Sequence, residues 1–205
     1  MSSVDLRTPI AILASGTGTT AARIMEDSGR GLLAEVRLVL SNNSGSGALE
    51  QARARGVPTR HLSGRTHPEP DMLDAAIAEA LRTADVELVV LAGYMKKLGP
   101  RVLAEWAGRI VNTHPSLLPA YGGAGMYGDR VHAAVLADGA TVTGASVHAV
   151  TAEYDEGPVL AQRHVPVEPD DDVTSLRARV QAAEKEVLAS WLAAFCSTGG
   201  ATLPS

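Results

Sequence analysis

Five consecutive apolar residues, Ile10-Ala11-Ile12-Leu13-Ala14, run directly into Ser15-Gly16-Thr17-Gly18-Thr19-Thr20. A strand that is apolar on both faces must be covered on both. That is the situation at the centre of a parallel sheet with helices above and below. The rest of the first half repeats the unit. Thr19 to Glu26 reads as a helix, Glu35 to Leu40 as a second strand, and Ser46 to Arg55 as a helix stopped by Gly56. Val57 to Leu62 reads as a short peripheral strand. Met72, Leu73, Ala76, Ile77, Ala80 and Leu81 recur at helical spacing, and Asp85 to Ala92 returns as a strong strand. This βαβα order predicts an α/β fold with a mainly parallel central sheet and helices on both faces.

The pattern changes in the second half. Thr141 to Val150 and Val159 to Val167 are two longer strands whose link is too short for a crossover helix, so they pair as a C-terminal antiparallel hairpin. The last helix runs from Val173 to Phe195, with Leu176, Val180, Ala183, Val187, Trp191 and Phe195 facing inward and Asp172 or Thr174 as its cap. We expect a single domain over residues 1–205, with one half at about 9–111, a second at about 112–195, and a fraying tail at 196–205.

Hydrophobic residues at 45% and charged residues at 20% are those of an ordinary globular chain. The net charge of −5 argues against a partner with a nucleic-acid backbone. Cys196 is the single cysteine, which excludes an internal disulfide and fits a reducing compartment. Residues 1–7 carry no apolar signal-peptide core, and no apolar run approaches ~18 residues. The expected setting is therefore the cytoplasm, with no membrane partner.

The glycine loop after the first strand places backbone N–H groups at a helix start, where an anion is favoured, and threonine hydroxyls add donors. Such a loop serves as a plain turn as readily as a phosphate cradle. It does not complete a dinucleotide fingerprint. Ala21 stands at the third glycine position, and the second strand ends Leu40-Ser41-Asn42-Asn43 with no carboxylate for a ribose hydroxyl. A monophosphate ester fits better than a dinucleotide. No G-K-[ST] follows, so the loop is not that of a nucleotide hydrolase.

Arg109-Ile110-Val111 reads as a buried strand that leads into Asn112-Thr113-His114-Pro115-Ser116-Leu117-Leu118-Pro119. Asn112 and His114 lie two apart, so their side chains leave an extended backbone on one face. A neutral donor beside a titratable one at a strand end suits a developing oxyanion. Asp155, in Glu153-Tyr154-Asp155-Glu156-Gly157-Pro158, completes an acyl-transfer set without a Ser or Cys nucleophile. Of the other histidines, His61, His67 and His164 read as surface residues, and His132 as pointing outward from a helix. His148, with Ser146 on the same strand face, reads as support for the site. No H-E-x-x-H, cysteine cluster or G-x-S-x-G occurs, so metal hydrolysis and an esterase triad are disfavoured.

The Asn112-x-His114-Pro115-Ser116-Leu117-Leu118-Pro119 block, the Asp155-x-Gly157-Pro158 segment and the Ser15-Gly16-x-Gly18 loop resemble the folate-dependent formyltransferases. The resemblance runs from about Ile10 to Trp191 and is strongest to the branch that formylates glycinamide ribonucleotide in purine synthesis. It implies a Rossmann-like formyltransferase fold, with 10-formyltetrahydrofolate as co-substrate, no metal, small-molecule partners only, and a homodimer. It also implies roles. Asn112 and protonated His114 would hold the oxyanion, and Asp155 would favour that protonated form and move the proton through water. Gly18, Thr19 and Thr20 would hold the substrate phosphate, giving the first half its phosphate-binding role. Gln181 and Glu184, spaced i, i+3, would bind the ribose and amine; on their own they read equally as a solvated helix face. Tyr94, Met95, Lys96, Lys97 and Leu98 would line the folate pocket with Asn112, Val150 and Asp155.

Two features depart from the family pattern. Thr20 stands where many members have Asn, and Ala120-Tyr121-Gly122-Gly123-Ala124-Gly125-Met126-Tyr127-Gly128 replaces a shorter Pro-Gly-x-His segment. The glycine-rich stretch reads as a lid over the amine substrate. Both departures leave room for an N-formyltransferase acting on another amine. Related enzymes for initiator tRNA or for formyl-folate hydrolysis would need an added C-terminal or N-terminal domain, which this sequence is not expected to carry. A dinucleotide-dependent oxidoreductase and a non-catalytic folate or nucleotide sensor are the rivals of other classes. The missing carboxylate weighs against the first, and the complete Asn112–His114–Asp155 set against the second.

Overall fold

The computed structural model describes residues 7–200 and 203. They form two compact units: one of the residues up to Ile110 together with Leu192–Leu203, the other of Val111–Trp191. The first unit contains β1 (Thr8–Leu13), α1 (Thr19–Ser28), β2 (Ala34–Ser41), α2 (Gly47–Ala54), β3 (Thr59–His61), α3 (Pro70–Thr83), β4 (Leu88–Leu91) and α4 (Pro100–Glu105). β1 pairs in parallel with β2 and β4, and β2 with β3. Every residue of β1 is buried, as a strand apolar on both faces requires. Burying Ile10, Ile12 and Leu13 contributes about 1.5–3 kcal/mol each.

β5 (Ile110–His114) leads into the second unit, which continues with α5 (Asp129–Ala137), β6 (Val142–Ala149) and β7 (Val159–Pro166). β5 and β6 are antiparallel, as are β6 and β7. The strand order β3-β2-β1-β4-β5-β6-β7 is the mainly parallel sheet with a C-terminal antiparallel hairpin that the sequence predicts. The hairpin link is held close at Gly157, where an added Cβ would lie 1.9 Å from the Ala149 carbonyl. The chain ends in α6 (Val173–Ser197). Its cap is Asp172, whose Oδ1 accepts from the N–H groups of Thr174 and Ser175, both at 2.8 Å. Among the described residues, no helix is long and apolar enough to cross a membrane.

Several expectations need correction. Met72 is 61% exposed, because Pro70 opens α3 and puts Met72 in its first turn; the buried positions are Asp74, Ile77, Ala78 and Leu81. Asp74 is buried because its carboxylate accepts from the N–H groups of Arg101 (2.7 Å) and Val102 (3.2 Å), capping α4. Gly99 has no side chain to do so, and a Cβ there would meet the Asp74 carboxylate at 2.2 Å. α4, six residues long, escapes a reading based on periodicity. β4 is shorter than expected, since Asp85 turns the chain at φ 50° and binds Arg37. On α6, Trp191 and Phe195 are only half-buried, while Leu188, Leu192 and Cys196 take the core positions. A strict four-residue step drifts off a helix of 3.6 residues per turn over this length. The tail is not simply frayed: Leu203 is buried and its N–H bonds to the Gly108 carbonyl at 2.9 Å. Residues 201, 202, 204 and 205 of that tail lie outside the described residues, as do residues 1–6 of the segment read for a signal peptide.

Candidate functional site

In the β5–β6 ladder Asn112 stands opposite His148, and His114 opposite Ser146. Residues directly opposite in a sheet share a face, so these four side chains form one polar patch. His148 and His114 are almost fully buried. The Nδ1–H of His148 donates to the Ala149 carbonyl at 3.0 Å, so its Nε2 accepts from the Asn112 amide nitrogen, also at 3.0 Å. Burial lowers the His148 pKa, outweighing the opposing pull of Asp155, which agrees with this neutral tautomer. One amide hydrogen of Asn112 is thereby fixed on His148.

His114 donates from Nε2 to the Tyr121 carbonyl at 2.8 Å, leaving Nδ1 as the nitrogen that faces Asp155. That nitrogen lies 3.4 Å from Asp155 Oδ2, while Asp155 Oδ1 lies 3.5 Å from His148 Nε2. The Gly123 N–H donates to Asp155 Oδ2 at 3.0 Å, tying the glycine-rich stretch to the carboxylate. Tyr121 and Asp155 both have left-handed backbones, at φ 54° and 58°. Such conformations cost about 1–3 kcal/mol for non-glycine residues and persist where neighbours over-determine them. A cavity of about 500 Å³ is lined by Leu118, Pro119, Gly122, Gly123 and the loop from Tyr154 to Gly157, Asp155 included.

Ser146 is the fully buried member of this patch. Its hydroxyl donates to the Ser116 carbonyl (2.6 Å) and accepts from the Leu118 N–H (3.0 Å) and the Gln162 amide (2.9 Å), bracing the turn after His114. Gln162 was not singled out in the sequence; only its place opposite Ser146 across β6 and β7 reveals it. His132 is buried, not outward-facing: Val131, His132 and Val135 form the inner face of α5. Val150, half-buried, follows β6 directly.

Gln181 is exposed, and Glu184 three residues on is half-buried. Burial pushes the Glu184 carboxyl up to about 7, against a hydrogen bond with Thr113 that acts to lower it. Thr113 leaves β5 on the face opposite Asn112 and His114, so Glu184 stands on the far side of that strand.

In the first unit, Gly18 has φ 75° and lies so close to α2 that a Cβ would come within 2.3 Å of the Ala48 backbone. No side chain caps α1, and Thr19 and half-buried Thr20 occupy its first turn. The Ser15 hydroxyl accepts from the Met95 N–H at 2.8 Å and donates to Asn42, fastening the loop to the segment after β4. In that segment Met95, Lys96 and Lys97 are exposed, Leu98 is buried, and burial raises the Tyr94 pKa to about 12. Among the described residues, no group of three or more His, Cys, Asp or Glu side chains is placed to hold a metal ion.

Residues 8–192 match the family model described as formyl transferase. The chain is 38% identical over 192 residues to the chloroplastic phosphoribosylglycinamide formyltransferase of Vigna unguiculata, a match over 93% of this chain and 61% of that protein. It is likewise 38% identical over 181 residues to the trifunctional purine biosynthetic protein adenosine-3 of Drosophila melanogaster, of which it spans 13%. Among solved structures, glycinamide ribonucleotide transformylase 1 of Symbiobacterium toebii superposes with a TM-score of 0.86 at 36% identity, covering 94% of this chain and 89% of that one.

Proposed function

Because this chain belongs to the formyl transferase family, we propose that it transfers the formyl group of 10-formyltetrahydrofolate to the amine of glycinamide ribonucleotide, in purine biosynthesis. The observation that carries this reading is the Asn112–His114–His148–Asp155 cluster, its two histidines buried, with one amide hydrogen and one imidazole nitrogen left for a substrate. The acceptor amine attacks the formyl carbon, a C–N bond forms, and the carbonyl oxygen takes the negative charge. The free Asn112 N–H and a protonated His114 Nδ1 donate to that oxygen. Asp155 carries the proton, through water, from the attacking nitrogen to the folate nitrogen as the original C–N bond breaks.

The remaining roles follow from the same premise. The N–H groups and hydroxyls of Gly18, Thr19 and Thr20 take the acceptor's phosphate. Gln181 and Glu184 take its ribose and amine, which requires the acceptor to pass over the end of β5. The segment Tyr94, Met95, Lys96, Lys97 and Leu98, with Val150, Asn112 and Asp155, takes the folate. The Gly122–Gly128 stretch, anchored on Asp155 through Gly123, acts as the lid.

The test is to supply 10-formyltetrahydrofolate and glycinamide ribonucleotide and follow tetrahydrofolate and the formylated product. Asn112→Ala, His114→Ala and Asp155→Ala should each remove most turnover with the fold retained, a single oxyanion donor being worth roughly 2.7–4 kcal/mol. Thr20→Ala should raise the acceptor's KM. Near-normal turnover in any two of the three catalytic variants, or transfer to a different amine only, would refute the assignment.

A further inference from the structure

A neutral imidazole has one ring hydrogen, and two acceptors stand beside that of His114. The Tyr121 carbonyl lies 2.8 Å from Nε2, and Asp155 Oδ2 lies 3.4 Å from Nδ1. A carboxylate is the stronger acceptor, so the hydrogen stays on Nε2 only while the carbonyl is held at the shorter distance. That choice decides whether Nδ1 is free to take a further proton. His148 makes the opposite choice, with its hydrogen on Nδ1 against the Ala149 carbonyl. Ala149 belongs to β6, so its carbonyl is placed by the strand. Tyr121 has no such support: it lies outside strand and helix, at φ 54°, a backbone that a tyrosine keeps only where its surroundings impose it.

Side chains impose it here. Ser116 Oγ donates to the carbonyl of Ala120, the residue before Tyr121, at 2.5 Å. The Ser146 hydroxyl gives its one hydrogen to the Ser116 carbonyl and accepts from the Leu118 N–H. The Gln162 amide nitrogen then donates to the Leu118 carbonyl at 3.0 Å and to Ser146 Oγ at 2.9 Å. A side-chain amide has two hydrogens and a hydroxyl has two acceptor positions, so both groups are used to capacity. With Leu118 and Gln162 filling its acceptor positions, Ser146 can point its hydrogen only at Ser116. Gln162 itself is exposed on β7, the edge strand, and stands opposite Ser146 in the ladder.

We infer that Gln162 is a positioning residue for His114. Through Ser146 and the turn over residues 116–120 it holds the Tyr121 carbonyl on Nε2, and so keeps Nδ1 open towards Asp155. Its effect on turnover rests on the formyl-transfer reading; its effect on the His114 tautomer does not.

The experiment labels the full chain with 15N-histidine and assigns the His114 ring nitrogens by their loss in His114→Ala. Spectra of the neutral ring, without folate or amine acceptor, show which nitrogen carries the hydrogen. The parent should show Nε2–H alone. Gln162→Met and Gln162→Glu keep the length of the side chain and lose both donors, and each should bring in the Nδ1–H form. Because Gln162 is exposed, both should keep the far-UV circular dichroism of the parent. In the formyl-transfer assay kcat should fall about tenfold or more while the KM of each substrate stays within about twofold. Arg163→Met, on the other face of the same strand and paired with Glu186, controls for a general disturbance of β7 and should match the parent in tautomer and kcat. A spectrum unchanged in either Gln162 variant would overturn the inference. So would the same change in Arg163→Met, or a loss confined to KM. A parent chain without formyl transfer would sink the functional reading instead, and the tautomer result would still decide this one.

Discussion

Glu184→Gln should stabilise the protein, and by an amount that depends on pH. The Glu184 carboxyl is pushed from 4.5 up to about 7 by burial. The folded chain therefore holds a proton that the unfolded chain has released between those two values. Stability falls as pH rises through that window, and the full cost is present above pH 7. At about 1.4 kcal/mol for each pH unit between the two values, the cost is about 3 kcal/mol. Glutamine keeps the shape and the partner at Thr113 without the charge. In urea unfolding followed by far-UV circular dichroism, the variant should gain about 3 kcal/mol over the parent at pH 8 and less than about 1 kcal/mol at pH 5. The same change should raise the acceptor's KM, since a carboxylate held at a cost to stability is typical of a binding site. An equal gain at both pH values, or a loss at pH 8, would show that Glu184 is not held in a desolvated position.

Further outcomes follow from the hydrogen-bond pattern and the close contacts. His148→Gln, which still offers Asn112 an acceptor, should keep far more turnover than His148→Phe, and the parent's activity should fall on the acid side as the depressed His148 pKa is crossed; identical kcat in the two variants would remove its orienting role. Ser146→Ala leaves the Leu118 N–H without its acceptor and should cost about 1–3 kcal/mol in a denaturation midpoint, an unchanged midpoint arguing against the brace. Gly157→Ala forces a Cβ onto the Ala149 carbonyl and should lower kcat by displacing the Asp155 loop, at about 1–3 kcal/mol of stability; wild-type kinetics would show that the loop position is not critical.

Much of the fold is legible in the sequence because its signals are local. The all-apolar run of β1, the glycines that end α2 and open α1, and the two long strands around a short link each state their own conformation. The readings that failed are those in which a neighbour remote in sequence decides. Met72 belongs to the apolar stripe the sequence shows on α3 yet is exposed, while Asp74, off that stripe, is buried because its carboxylate caps α4 where Gly99 has no side chain to do so. His132 looks like an outward helix residue until the inner face of α5 is known.

The same division holds for the candidate site. Spacing alone puts Asn112 and His114 on one face, because alternation is a property of any strand. What the sequence could not state is the partner of each nitrogen. The register of β5 on β6 sets His148 opposite Asn112 and so selects a tautomer, and a left-handed turn at Tyr121 presents the carbonyl that claims His114 Nε2. Gln162 and the desolvated Glu184 carboxyl are likewise invisible until the chain is folded. Residue type and spacing decide which groups are available, whereas desolvation and pairing arise only from what the fold packs around them.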